Sequence, residues 1–367
     1  MKTRKFGHTQ QEPSILGFGM MRLKRTAEDQ IDEQWAIKTL RGAIDRGLSY
    51  VDTAYTYPDS ERVTGLCLQD GYREKVMLAT KLPTQLMTCE ADFDRLLNEE
   101  LERLQTDHID NYLLHAMDRT RWHNYVEKYH VLEHMERAKA DGRIRNIGFS
   151  FHDTLDQFQM MLDAYDKWDF CQIQLNYMDV AYQAGLRGLE MAHERGLAVV
   201  IMEPLRGGKL AQVPEDVAKH LPGAPVESAL DFLWNRKEVN VVLSGMNETQ
   251  QVEENMAYAD RAEAGMLTEA QLEGFQAAAE AMRRYLSIPC TACHYCDGCP
   301  REIAIPEIFE LYNQYQADGD SAGAKERYRA LGIHRADACI HCGCCESQCP
   351  QQLPIISDLA RLHKIFK

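Results

Sequence analysis

Short apolar runs alternate with amphipathic segments along roughly the first 265 residues. The amphipathic segments have helical spacing, and segment 92–106 places its apolar side chains on one face: Phe93, Leu96, Leu97, Leu101 and Leu104. The strand-like runs number eight: 16–19, 48–52, 76–80, 109–115, 144–150, 171–175, 197–202 and 241–245. Eight strands, each followed by a helix within ~250 residues, predict an α/β fold of the (β/α)8 TIM barrel type.

A doubly wound parallel sheet is the alternative fold for the same alternation of strands and helices. That fold usually carries a G-x-G-x-x-G turn after its first strand, and none follows 16–19 here. From about Ser287 the chain changes to Cys-rich loops and short helices. We therefore predict a barrel over residues 1–270 and a small, mostly α-helical domain with two cluster motifs over 271–367.

The net charge and the hydropathy of the chain argue against nucleic acid and membranes as partners. The 367 residues carry 41 basic and 56 acidic side chains, a net charge of −15, which gives no general attraction to nucleic acid or an anionic membrane. The apolar run 197–202 is far shorter than the ~18 residues of a spanning helix. No apolar stretch follows the basic N-terminus, so no secretory signal is expected. We expect a cytoplasmic protein without nucleic-acid or membrane partners.

Nine of the twelve cysteines lie between positions 290 and 349. Because the cytosol is reducing, this concentration indicates metal ligands and not disulfides. They form two motifs, and in each motif three cysteines separated by two residues are followed by a Cys-Pro pair. The first motif is Cys290, Cys293, Cys296 and Cys299-Pro300. The second is Cys339, Cys342, Cys345 and Cys349-Pro350. Four thiolates also suit a structural zinc ion, but zinc motifs usually use two separated Cys-x2-Cys pairs. The tandem spacing favours iron–sulfur clusters.

Residues 285–360 resemble a bacterial ferredoxin with two [4Fe–4S] clusters. In such proteins the Cys-Pro cysteine of one motif commonly binds the cluster of the other motif. The resemblance implies two ligand sets, Cys290, Cys293, Cys296 and Cys349 on one cluster and Cys339, Cys342, Cys345 and Cys299 on the other. Cys344 is an extra thiol, and the x2 spacing favours Cys345 over it as the ligand.

Polar residues stand at the ends of successive predicted strands. Asp52, Lys81, His115 and Ser150 are at or just beyond the carboxyl ends, the rim where (β/α)8 barrels build active sites, and Tyr57 follows in the loop after the second strand. A tyrosine with a pKa near ~10 is a poor acid at neutral pH. A lysine held by an aspartate lowers that pKa, and a histidine can orient a carbonyl. This constellation favours carbonyl reduction by hydride.

The segments that carry these residues resemble the aldo-keto reductases: DTAYTY (52–57), ATK (79–81), IDNYLLH (109–115), GRIRNIGFS (142–150) and EEN (253–255). The resemblance implies a tetrad of Asp52, Tyr57, Lys81 and His115, with Tyr57 as general acid. It also implies a nicotinamide cofactor at the barrel's carboxyl end. The implied contacts are Ser150 and Gln172 at the carboxamide, Leu205, Gly207 and Lys209 at the pyrophosphate, and Glu254 and Asn255 at the adenine.

The sequence departs from the family pattern in three respects. Phe151 replaces an asparagine, and Met202 replaces the aromatic residue that stacks on the nicotinamide. Gly245 and Gln251 stand where basic residues grip a 2′-phosphate, which leaves Arg206 or Lys209 as substitutes and keeps NADP and NAD both open. Because such barrels often bind phosphate after strands seven and eight, a flavin is a further alternative.

The whole chain resembles the subgroup of aldo-keto reductases with a C-terminal ferredoxin-like 4Fe-4S dicluster domain. We expect an oxidoreductase that reduces a carbonyl or related group of a small organic substrate with NAD(P)H, while two [4Fe–4S] clusters pass electrons, in exchange with a ferredoxin or another carrier. Two alternatives stay open. In one, the clusters are purely structural; in the other, the chain is an electron-transfer or redox-sensing protein on a catalytically inactive barrel.

Overall fold

The structure, a computed structural model, describes residues 1–367. The chain forms two compact units. The first combines Met1–Pro204 with Val226–Thr268, and the second combines Leu205–Pro225 with Glu269–Lys367. None of the helices has the length and apolar character needed to cross a membrane.

Eight parallel strands form the first unit's sheet: β1 Leu16–Gly19, β2 Tyr50–Asp52, β3 Met77–Leu82, β4 Ile109–Met117, β5 Ile144–Phe151, β6 Phe170–Gln174, β7 Ala198–Met202 and β8 Val241–Ser244. Each strand pairs with the next, and β8 returns to β1 with Leu16 opposite Val242, so the sheet closes into a barrel. The predicted (β/α)8 fold is confirmed, and the doubly wound alternative is wrong, because such an open sheet has two edge strands whereas every strand here pairs with two neighbours.

Fifteen α-helices follow in chain order: α1 Glu33–Asp45, α2 Ser60–Cys67, α3 Asp92–Leu104, α4 Arg119–Arg121, α5 Val131–Ala140, α6 Leu155–Ala164, α7 Gly185–Glu194, α8 Glu215–Ala218, α9 Pro225–Trp234, α10 Thr249–Arg261, α11 Glu269–Arg283, α12 Ile305–Asp318, α13 Ser321–Ala330, α14 Cys344–Gln348 and α15 Ile355–Phe366. Short 3-10 turns occupy Met20–Arg22, Arg73–Lys75, Thr84–Leu86, Arg206–Gly208, Gly332–His334 and Ala336–Ala338, and a π-helical turn occupies Trp122–Glu127.

Helix α3 differs in one detail from its predicted apolar face. Four of the five apolar residues are buried as expected, but Leu101 is only half-buried and Glu100 is fully buried instead. The Tyr112 hydroxyl donates a 2.6 Å hydrogen bond to Glu100, which gives one carboxyl oxygen a partner inside the fold. Burial and the nearby Glu61 carboxyl raise the pKa of Glu100 well above its usual range.

Phe6 closes the amino-terminal end of the barrel. Its ring lies 6.0 Å from that of Tyr50 and 5.6 Å from that of Phe170, which begin β2 and β6. Gly7 follows in a left-handed conformation, and a Cβ there would lie 2.4 Å from the Ala198 backbone nitrogen. Only glycine allows this close approach. With this end filled by apolar side chains, the carboxyl ends of the strands remain for a polar site.

The second unit has its own apolar core. Residues from α12, α13 and α15 form it, with Phe309, Leu359 and Leu362 fully buried. Five of the motif cysteines pack against this core: Cys290, Cys296, Cys299, Cys339 and Cys349. The apolar residues of the helices therefore pack against part of both Cys-rich loops.

Candidate active site and cluster sites

Four side chains meet at the carboxyl end of the barrel. Asp52 ends β2, Lys81 lies in β3, His115 lies in β4, and Tyr57 lies in the turn between β2 and α2. Lys81 Nζ donates to Asp52 Oδ1 at 2.7 Å and to the Thr53 carbonyl at 2.6 Å. It also lies 5.0 Å from the centroid of the Tyr57 ring. The predicted tetrad residues are brought together.

His115 approaches Tyr57 from the neighbouring strand. The two ring centroids are 5.9 Å apart and nearly perpendicular, and Thr56 Oγ1 lies 3.3 Å from His115 Nδ1. This geometry places the imidazole beside the phenol without stacking on it. A group bound between them could therefore contact both rings.

Burial dominates the electrostatics of this cluster. Asp52 is 3% exposed and Lys81 is 1% exposed. Desolvation raises the pKa of Asp52, although the Lys81 ammonium opposes the shift. Desolvation, followed by the charge of Lys81, lowers the pKa of His115 well below its ordinary value. His115 is therefore a neutral imidazole at neutral pH, able to donate a hydrogen bond but not carrying charge.

Ser150 and Gln172 occupy adjacent strands, paired opposite each other in β5 and β6. Ser150 Oγ accepts a hydrogen bond from the Ala116 amide at 2.7 Å, so one of its acceptor positions is already occupied by the backbone. Gln172 Nε2 lies 3.6 Å from the Met202 sulfur, and Gln172 Oε1 is buried without a hydrogen-bond partner. A buried acceptor without a donor is costly. This orphaned oxygen fits a ligand that brings an amide N–H.

The predicted contacts after β8 lie on or near α10. Gly245 and Gln251 are exposed. Gln251 caps α10 by accepting from the Glu248 amide at 3.3 Å, and it also accepts from the Asn247 amide at 2.9 Å. Glu254 accepts from Gln250 at 2.8 Å, and Asn255 is buried and donates to Ser244 Oγ at 3.1 Å.

Arg22 is a cation at this rim that the sequence analysis missed. A Cβ built at Gly245 would lie 3.4 Å from the Arg22 Cβ, so the arginine side chain lies close to the space that a residue-245 side chain would occupy. No sequence signal identified it, because Arg22 follows β1 and is remote from Gly245 along the chain.

Leu205, Gly207 and Lys209 belong to the second unit. Gly207 adopts a left-handed conformation at φ +65°, and a Cβ there would lie 2.1 Å from the Thr291 carbonyl oxygen. Lys209 forms an ion pair with Glu310. These three residues lie in the same unit as the cysteine motifs, whereas the other predicted cofactor contacts lie in the barrel unit.

The cysteines surround two cavities in the second unit. One is lined by Cys290, Cys293, Cys296 and Cys349. The other is lined by Cys299, Cys339, Cys342, Cys344 and Cys345. Each cavity thus combines three cysteines of one motif with the Cys-Pro cysteine of the other. A lining of four or more cysteines among apolar residues fits a [4Fe–4S] cluster in each cavity.

His152 is a second site histidine that the sequence analysis did not single out. It lies one residue beyond β5, and its Nδ1 is 3.3 Å from Gln183 Oε1. Burial lowers its pKa to about 4, and its charge, with that of Arg121, would oppose protonation of His115. The sequence feature that could have identified His152 is its position two residues after Ser150, just past the carboxyl end of a strand.

Comparisons with known proteins agree with this architecture. Residues 15–277 match the Aldo/keto reductase family, and residues 289–354 match the 4Fe-4S dicluster domain. Aldo-keto reductase YhdN of Bacillus subtilis is 34% identical over 149 residues, covering 38% of this chain and 44% of that protein. The 6-dehydroglucose reductase of Novosphingobium aromaticivorans is 29% identical over 224 residues, covering 57% of this chain and 70% of that protein.

A solved structure gives the same result for the fold. The holo form of aldo-keto reductase AKR11C1 from Bacillus halodurans superposes with a TM-score of 0.64 at 26% identity, covering 77% of this chain and 97% of that one. The aligned segment of YhdN is less than half of that protein, so these likenesses concern family and fold. This chain belongs to the aldo/keto reductase family of oxidoreductases and carries a C-terminal 4Fe-4S dicluster domain.

Proposed function

We propose that this oxidoreductase reduces the carbonyl group of a small organic substrate with NAD(P)H, with Tyr57 as general acid. The observation that carries the proposal is the position of the Lys81 ammonium, 2.7 Å from Asp52 and 5.0 Å from the Tyr57 ring centroid. A buried cation favours the phenolate over the phenol and so makes the phenol a stronger acid. Asp52 holds that cation in place.

The remaining residues orient the substrate. Neutral His115, beside the phenol, donates a hydrogen bond to the substrate oxygen and polarises the carbonyl. Tyr57 then gives its proton to this oxygen as the carbonyl carbon accepts a hydride, so the product is an alcohol. Two of the three N–H groups of Lys81 are held by Asp52 and Thr53, which keeps the ammonium from moving toward solvent.

The residues present fit the cofactors. Gln172, with its unpartnered Oε1, and Ser150 would hold the nicotinamide carboxamide, and Glu254 and Asn255 the adenine. Gly245 and Gln251 as 2′-phosphate contacts, and Leu205, Gly207 and Lys209 as pyrophosphate contacts, stay predictions. When bound, the nicotinamide would supply a hydride and each cluster would pass one electron at a time.

The proposed ligands of the clusters follow the two cavities. Cys290, Cys293, Cys296 and Cys349 would hold one, and Cys299, Cys339, Cys342 and Cys345 the other. An external one-electron carrier is the partner that such clusters would serve. The name of one relative, 6-dehydroglucose reductase, supports a small organic carbonyl compound as the substrate class.

Replacement of Tyr57 tests the catalytic part. With anaerobically purified protein, NADPH or NADH and 4-nitrobenzaldehyde as the probe, Tyr57→Phe should lower turnover by about 100-fold or more. Tyr55→Phe is the matched control, because Tyr55 donates to Glu99 at 2.7 Å and not to the tetrad. Equal turnover in wild type and Tyr57→Phe would sink the catalytic assignment and favour an inactive barrel.

A reductase with structural clusters is the second candidate. It is favoured by the packing of five motif cysteines against the apolar core of the second unit. The two candidates differ when NADPH or NADH is added to the anaerobic protein. Bleaching of the cluster absorbance supports redox-active clusters, whereas clusters that reduce only with dithionite support the structural role.

A further inference from the structure

Two contacts connect the segment Leu205–Pro225 to the Cys-rich part of the second unit, one at the first cysteine motif and one at helix α12. Gly207 lies so close to Thr291 that a Cβ would be 2.1 Å from its carbonyl oxygen, and Thr291 directly follows Cys290. Lys209 is ion-paired with Glu310 of α12. This segment leaves the barrel directly after Pro204, and all of these residues lie within the second unit.

The ion pair lies beside one proposed cluster ligand. Lys209, Glu310 and Cys290 line the same open groove, together with His294 and Arg327. Lys209 is 26% exposed and Glu310 is 40% exposed, so both charges are partly shielded from solvent. A partly buried charge interacts with a neighbouring charged group more strongly than one in bulk water does.

We propose that the charges of Lys209 and Glu310 set the reduction potential of one cluster. This cluster is the one held by Cys290, Cys293, Cys296 and Cys349. The inference rests on the cluster assignment proposed above. It gives Lys209 a role that the family resemblance did not assign, in addition to the predicted pyrophosphate contact.

The physical reason is the charge that reduction adds. Reduction brings one electron from the reductant to the cluster site without a bond being made or broken, so the site becomes more negative by one unit. The Lys209 ammonium favours the reduced state and the Glu310 carboxylate disfavours it. Removing one charge of the pair must therefore shift the potential in the opposite direction from removing the other.

The test is a redox titration of the whole anaerobic protein, followed by EPR, with dithionite as reductant. Lys209→Gln should lower one of the two cluster potentials, and Glu310→Gln should raise the same one. At a fixed potential we expect the reduced-to-oxidised ratio to change by about threefold to tenfold, and tenfold corresponds to ~59 mV for one electron. Lys219→Gln, an exposed lysine of the same segment that does not line the groove, is the control and should shift neither potential.

The outcomes separate this inference from the function proposed above. Opposite shifts of a single potential in the two variants, with unchanged iron and sulfide content, support it. Unmoved potentials, shifts of the same sign, or equal shifts of both clusters overturn it. Wild-type protein without two [4Fe–4S] signals would overturn the cluster assignment as well, and that result is visible before any variant is made.

Discussion

Lys81 Nζ lies 2.7 Å from Asp52 Oδ1, and both side chains are almost fully buried. Asp52 ends β2 and Lys81 lies in the adjacent strand β3, so the parallel pairing of these strands determines the contact. The second carboxyl oxygen of Asp52 is buried without a hydrogen-bond partner. Asp52 therefore depends on Lys81 for compensation of its charge, and the lysine depends on the aspartate for its position.

Removal of the lysine alone should destabilise the fold. Lys81→Met leaves Asp52 buried and unpaired, and breaking a buried ion pair in this way costs about 3–5 kcal/mol. Urea denaturation at pH 7.5 should show the loss as a lower midpoint. Carbonyl reduction should fall as well, because Tyr57 would lose the cation near its ring.

The double variant Asp52→Leu/Lys81→Met separates the two effects. It removes both charges, so much of the stability should return while turnover stays low. A double variant as unstable as Lys81→Met would show that the cost does not come from the unpaired carboxylate.

The stability of the fold should decrease on acidification because of His152. An unfolded histidine titrates near pH ~6.5, whereas burial lowers the pKa of His152 to about 4. Between these values the unfolded chain binds a proton that the folded chain does not. The stability is therefore full above pH 6.5 and falls as the pH falls toward 4. His115, whose pKa is also lowered, adds to the same trend.

His152→Gln tests this pH dependence. The glutamine keeps a polar side chain but cannot be protonated, so the loss of stability between pH 7.5 and pH 5 should shrink by about 2 kcal/mol. His123→Gln, an exposed histidine, is the control. Parallel pH profiles for wild type and His152→Gln would contradict the prediction.

Most of the barrel could be predicted because its signals are local. Each predicted strand overlaps an observed one, and Asp52, Lys81 and His115 lie near strand ends, where chain order alone places them on one rim. The cysteine spacing carries similar local information. These features depend on residues a few positions apart, and periodicity or motif spacing reads such distances directly.

Contacts between distant segments could not be read in this way. The closeness of Arg22 to Gly245 and of Gly207 to Thr291 joins parts of the chain that no spacing rule connects. The buried Glu100 broke the apolar pattern of α3, because its partner Tyr112 lies on β4 and not on the helix. Polar residues whose partners come from another element look like surface residues in the sequence.

Gln172 should contribute to the binding of the nicotinamide. Gln172→Met conserves the size of the side chain but removes the unpartnered Oε1 acceptor. Loss of about one hydrogen bond, roughly 1 kcal/mol, should weaken NADPH or NADH binding about fivefold. Fluorescence titration would measure it, with ADP-ribose as the control because it lacks the nicotinamide ring. Equal weakening for ADP-ribose would mean that Gln172 acts through the fold and not through the carboxamide.

The two neighbouring thiols Cys344 and Cys345 should differ in their effect on the clusters. Both line the same cavity, but Cys345 is 8% exposed and belongs to the apolar core of the second unit, whereas Cys344 is exposed. Cys345→Ser should therefore lose one cluster, seen as about half of the iron and sulfide and one missing EPR signal. Cys344→Ser should keep both clusters and serves as the matched control. If Cys344→Ser loses a cluster and Cys345→Ser keeps both, the ligand is Cys344. The second motif would then not follow the Cys-x2-Cys-x2-Cys spacing.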